Sequence, residues 1–369
     1  MHRLPAPVSA VPLVILLLLA PIVPPAAAAS AGPEPTASLV SAPAGVERPL
    51  PAVVTDAGAL APLRTVIVAR RGEILAERAF RGASVTAPAN IKSASKSIIS
   101  ALVGIAIDRG VLDGPEQRVA PLLRGDLPPD PDPRLEHITV GHLLSMQAGL
   151  ERTSGANYGR WVSSRNWVRA ALAQPFVAEP GGPMLYSTGS THLLSAILTR
   201  ATGRSTLELA RDWLAPLPGF AIAAWERDPQ GIYLGGNQMA LSPRALLAFG
   251  ELYRNGGRTP DGRQVVSEDW IERSWQYRTR SRFTGDAYGY GWFARRIAGR
   301  DVHYAWGYGG QMLYIVPSLD LTVAMTSDDT DPAGRSGHRD DLHRLLADIM
   351  ATVTAADAEG VKSSPARTA

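Results

Sequence analysis

The sequence predicts an α+β fold in which strands from both ends of the chain form one antiparallel sheet around a largely helical insertion. Strand-like alternation occurs near the N-terminus and again after residue 288, whereas the region from Ser93 to about Trp275 has mostly helical patterns. Strand and helix patterns are therefore segregated along the chain. This arrangement is typical of α+β proteins and differs from alternating βαβ units.

The individual elements follow from local patterns. Arg64–Ala69 and Glu73–Glu77 have strand patterns, and Arg71–Gly72 between them favours a hairpin turn. Proline-rich and glycine-rich segments mark loops within the helical middle, at 127–133 and 181–183. After the helical region the sequence predicts four strands and a last helix, namely Tyr288–Ala294, Val302–Trp306, Gln311–Val316, Leu321–Thr326 and then His338–Met350.

The N-terminus has the pattern of a secretory signal peptide. A basic start at Arg3 precedes the apolar run Leu13–Ala20, and small residues at Ala26–Ala29 offer a cleavage site. The apolar run is shorter than the roughly 20 residues that a membrane helix needs. We expect residues 1–29 to be removed and the mature protein to be periplasmic or secreted, without a membrane span. An uncleaved N-terminal anchor is the alternative.

Composition predicts the remaining boundaries. Residues 30–58 are rich in Ala, Pro, Ser and Gly, which is typical of a disordered spacer, and residues 353–369 are small and polar, which favours a flexible tail. The single catalytic unit is therefore predicted to span residues 59–352. A domain of this length buries a substantial core without disulfides.

Several chemistries are excluded by what the sequence lacks. The chain contains no cysteine, which rules out disulfides, thiolate catalysis, cysteine zinc sites and a lipidated cysteine anchor. It has no Gly-x-Ser-x-Gly, His-Glu-x-x-His, P-loop or Gly-x-Gly-x-x-Gly pattern, and its histidines are scattered. The formal net charge is +3 and no run of basic residues indicates nucleic acid. We expect no metal, no cofactor and no nucleic-acid partner.

The most informative residues are the lysines. Only three of the 37 basic residues are lysine, and Lys92 and Lys96 both lie in the segment Asn90–Ser100. Arginine does not give up its proton in a protein and cannot serve as a general base, so a lysine kept in this chain suggests a task that needs an amine. Lys96 follows Ser93 by three positions, which on a helix puts both side chains on one face. The alternative is a solvated lysine on a helix whose first turn contains a capping serine.

The surrounding sequence favours the catalytic interpretation. Ser97–Asp108 is apolar on nearly every side, which predicts a buried helix with Ser93 at its amino end. Unpaired N–H groups and the helix dipole favour negative charge there. Lys96 lies one turn into the apolar helix, where desolvation favours the neutral amine. This pattern predicts an activated serine nucleophile.

Four ordered segments resemble the serine β-lactamase and penicillin-binding-protein family. Ser93-Ala-Ser-Lys96 and the helix after it resemble the active-site helix of that family, and three further segments match in order: 138–150, 185–203 and 241–253. The resemblance covers roughly residues 60–350. It is closest to the class C β-lactamase and esterase branch, especially hydrolases that resemble 6-aminohexanoate-dimer hydrolase, and it implies a β-lactamase/transpeptidase-like fold.

The resemblance also implies roles for individual residues. Ser93 would attack an ester or amide carbonyl, with Lys96 as its base, and water would later release the acyl-enzyme. Tyr186 matches the tyrosine of the family's Tyr-x-Asn motif and would exchange protons with Lys96 and the leaving group. A tyrosine in that role is expected near a cation that favours its phenolate. The alternative for Tyr186 is a hydrogen-bonded core tyrosine.

Two departures from the family pattern affect the expected substrate. Thr188 replaces the asparagine of Tyr-x-Asn. The family's third motif aligns with Tyr304–Gln311, which contains no lysine to bind a β-lactam carboxylate, and His303 lies one position too early to match. The strand would still provide an oxyanion N–H from Gly307, paired with that of Ser93. The predicted substrate-binding or oxyanion residues are therefore Thr188, Trp306, Gly307 and Gly309. A plain turn is the alternative for the glycines.

Together these observations predict an exported, cofactor-free serine hydrolase that cleaves a small-molecule ester or linear amide. A β-lactamase or D,D-peptidase remains the alternative within enzymes. A penicillin-binding or sensor module that acylates slowly without turnover is the alternative outside them.

Overall fold

The computed structural model describes residues 49–363. The predicted signal peptide, most of the predicted spacer and the last residues of the predicted tail lie outside these residues. The strands are β1 (Leu63–Arg70), β2 (Glu73–Ala79), β3 (Ala89–Asn90), β4 (Ala224–Trp225), β5 (Met239–Leu241), β6 (Thr279–Arg280), β7 (Ala287–Tyr288), β8 (Phe293–Ile297), β9 (Arg300–Gly307), β10 (Gln311–Val316) and β11 (Leu321–Ser327).

The helices occupy mainly the middle and the C-terminal end of the described chain. They are α1 (Leu50–Asp56), α2 (Ser95–Asp108), α3 (Val119–Leu122), α4 (Val140–Leu144), α5 (Tyr158–Val162), α6 (Trp167–Leu172), α7 (Thr188–Thr202), α8 (Thr206–Trp213), α9 (Pro243–Arg254), α10 (Glu268–Trp275), α11 (Ala333–Ser336) and α12 (His338–Ser363).

The main sheet joins the two ends of the chain, as the sequence predicts. Its strand order is β2-β1-β11-β10-β9-β8-β7-β6, and every pair is antiparallel. β10 and β11 are buried at every position because helices cover both faces of the sheet. On one face, α9 packs against β1, β10 and β11. On the other, His343 of α12 hydrogen-bonds Tyr314 of β10. The predicted α+β class is confirmed.

The helical insertion surrounds one buried helix. Every residue of α2 from Ser95 to Ala106 is buried, which confirms the buried helix that the sequence predicts. A small second sheet has the strand order β3-β5-β4. Its strand β3 leads directly into the segment before α2. Among residues 49–363, no helix combines the length and the apolar character that a membrane crossing requires.

The predicted domain boundaries need correction at both ends. Helix α1 lies inside the predicted spacer, and its Val53 and Val54 are buried where α1 packs against β2 and α12. At the other end, α12 continues through the segment predicted to be a flexible tail. A bidentate ion pair between Arg70 and Asp357, with both N–O distances 2.6 Å, attaches this extension to the sheet. Local composition predicts neither the packing of α1 on β2 and α12 nor the ion pair that holds the end of α12.

One predicted strand is divided in two. The sequence predicts a continuous strand over 288–294, whereas the structure has β7, a turn and then β8. Glycines cause the break: Gly291 adopts φ +81°, and a Cβ on Gly289 would lie 2.1 Å from the Ser274 carbonyl oxygen. The turn matters for the site because Gly291 lies against the backbone of Lys96.

Candidate active site

Ser93 lies in a short 3₁₀ turn, Lys92–Ala94, that leads directly into α2, so its predicted position at the amino end of the buried helix is confirmed. The neighbouring serines are occupied elsewhere. Ser95 donates to the carbonyl of Lys92 at 2.7 Å, and Ser97 donates to the carbonyl of Gly291 at 2.7 Å. Of these serines, Ser93 is the one whose hydroxyl contacts Lys96.

Lys96 is almost completely buried, with 2% of its surface exposed. Its Nζ lies 3.0 Å from Ser93 Oγ, 2.6 Å from the Gly236 carbonyl oxygen and 3.4 Å from Thr188 Oγ1. Within residues 49–363 it forms no ion pair with a carboxylate. Burial without a counter-charge lowers the pKa of Lys96 to about 7. A substantial fraction of the amine is therefore neutral near pH 7, in contact with the hydroxyl that it would deprotonate.

Tyr186 lies beside this pair, immediately before α7. Its ring centroid is 5.0 Å from Lys96 Nζ, and the ring packs against Tyr288 and Phe293. Burial raises the pKa of Tyr186 above its usual range, and a hydrogen bond with Ser93 offsets only part of that effect. The expected neighbouring cation is present as Lys96, but burial favours the neutral phenol over the phenolate.

Thr188 belongs to the environment of Lys96. It is 3% exposed, and its hydroxyl lies 3.0 Å from Ser154 Oγ as well as near the lysine amine. The Thr188 backbone N–H also donates to Ser154 Oγ at 2.8 Å. The Thr188 hydroxyl, which was predicted to bind substrate, therefore contacts the Lys96 amine and Ser154 from the start of α7.

Gly307 ends β9 directly against the segment that carries the nucleophile. A Cβ at this position would lie 2.2 Å from the Ile91 carbonyl oxygen and 3.1 Å from Lys92 Cβ, so only glycine allows the strand to approach this closely. The approach brings the end of β9 beside Ser93. Backbone N–H groups in such a position are suited to stabilise an oxyanion.

The other two predicted residues lie farther from the nucleophile. The Trp306 ring centroid is 5.9 Å from that of Phe293, which in turn is 6.0 Å from that of Tyr186, so the Trp306 ring is linked to Tyr186 through Phe293. Gly309 adopts φ +81° in the β9–β10 turn, and a Cβ there would lie 2.4 Å from the Asp328 carbonyl oxygen. Gly309 therefore lies in a turn between two strands, which is the alternative that the sequence left open for it.

Two further groups at the site were not predicted from sequence. The Gly236 carbonyl is the nearest oxygen to the Lys96 amine, and Ser154 contacts Thr188. A Cβ on Gly236 would lie 2.6 Å from Lys96 Cγ, which explains why glycine stands there. The adjacent Gly235-Gly236 is a visible sequence signal, but such pairs are common in turns.

Lys92 has a different environment although it precedes Ser93 directly. Its Nζ forms a 2.7 Å ion pair with Asp329 and lies 3.4 Å from Gln238 Oε1. Its backbone adopts φ +50°, held by a 3.0 Å bond from its N–H to Asn90 Oδ1. Lys92 therefore connects the nucleophile segment to the loop after β11.

The histidines make contacts away from Ser93 and Lys96. His303 stacks on Trp275 at 4.1 Å, and burial lowers its pKa to about 4, so it does not replace the missing lysine of the third motif. Within the part of the chain that the structure describes, no group of three or more His, Asp or Glu side chains is arranged to hold a metal.

Comparison with known proteins establishes the family. The Beta-lactamase family model matches residues 57–348. The chain belongs to the β-lactamase family. The chain is 26% identical over 299 residues to the 6-aminohexanoate-dimer hydrolase of Paenarthrobacter ureafaciens, covering 74% of each chain. The predicted β-lactamase-related serine hydrolase is thereby confirmed at the level of the family.

Solved structures confirm the predicted β-lactamase/transpeptidase-like fold. A putative 6-aminohexanoate-dimer hydrolase from Bacillus anthracis superposes with a TM-score of 0.64 at 19% identity, covering 82% of this chain and 83% of that one. EstCE1, a hydrolase with promiscuous acyltransferase activity, also gives 0.64, at 18% identity, covering 82% of this chain and 97% of its own. At these identities the likeness concerns the fold.

Proposed function

We propose that this protein is an exported serine hydrolase that cleaves a small ester or linear amide through an acyl-enzyme on Ser93. The observation that carries the proposal is the 3.0 Å contact between Ser93 Oγ and a buried Lys96 amine whose pKa is lowered to about 7. A neutral amine at hydrogen-bond distance from a hydroxyl is the arrangement that general-base activation requires.

In the first step, Lys96 takes the proton from Ser93 Oγ as the oxygen attacks the carbonyl carbon of the substrate. The N–H groups of Ser93 and Gly307 stabilise the resulting oxyanion. Tyr186 then donates its proton to the leaving oxygen or nitrogen, and the Lys96 ammonium returns a proton to Tyr186. Water attacks the acyl-enzyme in the second step. Lys96 accepts a proton from that water and donates it to Ser93 Oγ as the acyl bond breaks, which restores the serine hydroxyl and the neutral amine.

Two features support esters and linear amides over β-lactams. No lysine occurs on β9, so the carboxylate of a β-lactam lacks the cation that the family's third motif supplies. Thr188 stands where the family has asparagine, so this position offers no carboxamide to bind a substrate amide. The Thr188 hydroxyl is already in contact with Lys96 and Ser154. Each missing charge-assisted hydrogen bond costs about 1.5–3 kcal/mol, or roughly one to two orders of magnitude in specificity. The similarity to an amide-dimer hydrolase and to EstCE1 supports the same choice.

The proposal is tested by comparing kcat/KM for p-nitrophenyl esters, an aminohexanoate dimer, a chromogenic cephalosporin and a D-Ala-D-Ala peptide. We expect the esters or the dimer to be hydrolysed fastest and a fluorophosphonate to label Ser93. Ser93→Ala is expected to abolish both, and Ser95→Ala is the matched control. A preference for the cephalosporin or the D-Ala-D-Ala peptide contradicts the substrate assignment. A stable cephalosporin adduct without turnover supports a penicillin-binding module instead.

Export is a separate part of the proposal and rests on the N-terminal pattern of residues 1–29. N-terminal sequencing of the protein from a secreting host is expected to show a mature chain that begins at Ser30. A chain that retains residues 1–29 and sediments with membranes supports the anchored alternative.

A further inference from the structure

A buried histidine–carboxylate pair lies near the site but outside the groups assigned so far. His192 Nε2 on α7 is 3.0 Å from Asp228 Oδ2, and both side chains are completely buried. The imidazole packs edge-on against Trp161 and Trp167, with ring centroids 5.6 and 5.8 Å away. The pair contacts neither Ser93 nor Tyr186, so any effect on the reaction must pass through another group.

The hydrogen bonds define the tautomer of this histidine. His192 Nδ1 accepts the backbone N–H of Gly235 at 3.3 Å, so Nδ1 carries no proton and the ring is neutral. The remaining ring proton is on Nε2 and is donated to Asp228 Oδ2. The other oxygen of Asp228 accepts the N–H groups of Gln230 and Ile232 at 2.8 and 2.9 Å. His192 and Asp228 therefore anchor both ends of the loop over residues 228–235.

The loop over residues 228–235 is followed directly by the residue whose carbonyl oxygen lies nearest to the Lys96 amine. Gly235 precedes Gly236, whose carbonyl oxygen lies 2.6 Å from Lys96 Nζ. The fit is tight: a Cβ on Gly235 would lie 2.2 Å from the Thr191 carbonyl oxygen, and Gly236 adopts φ +80°. A displacement of Gly235 would therefore move the carbonyl that orients the lysine amine.

We propose that His192 and Asp228 are positioning residues for the general base. They hold the Gly235–Gly236 turn in place, so that the Gly236 carbonyl directs the Lys96 amine toward the nucleophile. The inference rests on the proposed function, because it concerns how efficiently Lys96 activates the serine. The competing explanation is a buried pair that contributes to stability alone.

Asp228→Asn tests the proposal without removing a buried atom. The Asn oxygen keeps the N–H groups of Gln230 and Ile232, and its NH₂ then faces His192 Nε2, which must become an acceptor. The ring proton moves to Nδ1, where it meets the Gly235 N–H donor to donor. We expect the acylation rate constant, measured as the pre-steady-state release of p-nitrophenolate, to fall about 10- to 100-fold while the substrate dissociation constant changes less than threefold.

Two substitutions of His192 separate positioning from stability. His192→Asn places an amide oxygen near the position of Nδ1, so the Gly235 N–H keeps an acceptor while Asp228 loses its partner. His192→Gln reverses this, since its amide donates to Asp228 and leaves the Gly235 N–H without an acceptor. We expect His192→Gln to acylate about tenfold more slowly than His192→Asn, although His192→Asn has the lower thermal midpoint because its buried carboxylate is unpaired.

Tyr314→Phe is the matched control, because it breaks the buried 2.9 Å bond to His343 on the opposite face of the sheet. We expect it to lower the thermal midpoint and leave acylation unchanged. If acylation simply follows the thermal midpoint across all four variants, or stays at the wild-type value in folded Asp228→Asn, the positioning role is overturned. A wild-type protein that hydrolyses none of the esters or amides and gives no fluorophosphonate adduct on Ser93 would instead contradict the proposed function itself.

Discussion

Two lysines four positions apart have opposite environments. Lys96 is 2% exposed, and its amine lies within hydrogen-bond distance of oxygens of Ser93, Thr188 and Gly236, none of them a carboxylate. Lys92 has 19% of its side chain exposed and is paired with Asp329 at 2.7 Å. The two residues share a sequence segment and a residue type, so the difference comes entirely from the surrounding tertiary structure.

The comparison shows that burial and neighbouring charge give two identical side chains different chemical properties. Burial without a counter-charge brings the pKa of Lys96 to about 7, so the amine can exchange a proton near neutral pH. Lys92 uses its amine in an ion pair that joins two loops beside the nucleophile. We therefore infer that charge is sufficient at residue 92, whereas residue 96 requires a removable proton.

Replacing each lysine by arginine is the most direct test of this comparison. We expect Lys96→Arg to lower the acylation rate by about two to four orders of magnitude, because arginine cannot accept the serine proton. Lys92→Arg should stay within about threefold of the wild type, since a guanidinium can still pair with Asp329. Both rates are measured by the p-nitrophenolate burst. Substantial activity in Lys96→Arg would mean that a fixed charge is enough at that position.

Tyr186→Phe is expected to have the next largest effect, and the effect should depend on the leaving group. A neutral phenol acts as an acid, so its removal should cost about two orders of magnitude in kcat/KM for an alkyl ester or amide. The cost should be much smaller for a p-nitrophenyl ester, whose leaving group needs no proton. Tyr288→Phe is the control, because that buried hydroxyl has no hydrogen-bond partner among residues 49–363. An equal loss for both substrates would assign Tyr186 a structural role.

The pH dependence of kcat/KM should reveal the lowered pKa of Lys96. The base is active when neutral, so activity should rise as pH increases through about 7 and level off above it. Below that pH, we expect a loss of about tenfold per unit. The same profile is expected for Lys92→Arg, since the arginine keeps a positive charge beside Asp329 and leaves Lys96 in place. A change in the apparent pKa of the kcat/KM profile in Lys92→Arg would show that the two lysines interact electrostatically.

The smallest expected effect concerns the ion pair of Lys92. Lys92→Ala should lower the free energy of unfolding by about 0.2–1 kcal/mol, as is usual for partly exposed pairs, and slow acylation only a few-fold. Asp329→Asn should produce a similar loss. In a double-mutant cycle the two losses should be less than additive, because each variant breaks the same contact. Fully additive losses in chemical denaturation would mean that the pair contributes nothing to stability.

The contact between the proposed nucleophile and the proposed base was predictable from sequence because it is local. Ser93 and Lys96 lie on one helical turn, and the apolar residues after them predict the burial that lowers the lysine pKa. The Gly236 carbonyl was not predictable, since a backbone oxygen 140 residues away carries no side-chain signal. The burial that favours the neutral form of Tyr186 was not predictable for a related reason. Desolvation by Tyr288 and Phe293 depends on strands that meet Tyr186 only in the folded chain.

The sheet order is predictable only in part. Strand patterns at both chain ends indicate a shared sheet, and its antiparallel pairing is confirmed. The exact boundaries depend on contacts that composition does not reveal, such as the Arg70–Asp357 pair that extends α12 and the packing of α1 on that helix. The break at Gly289–Gly291 arises because those glycines lie against Ser274 and Lys96.

The position of β11 has a consequence for the order in which the molecule is built. It lies between β1 and β10, where Val66 pairs with Met325, so the last strand to leave the ribosome completes the middle of the sheet. Until it arrives, β1 has an unpaired inner edge, and contacts this distant in sequence form slowly. The sheet whose strand β9 brings Gly307 beside Ser93 therefore cannot be completed until residues Leu321–Ser327 have been synthesised.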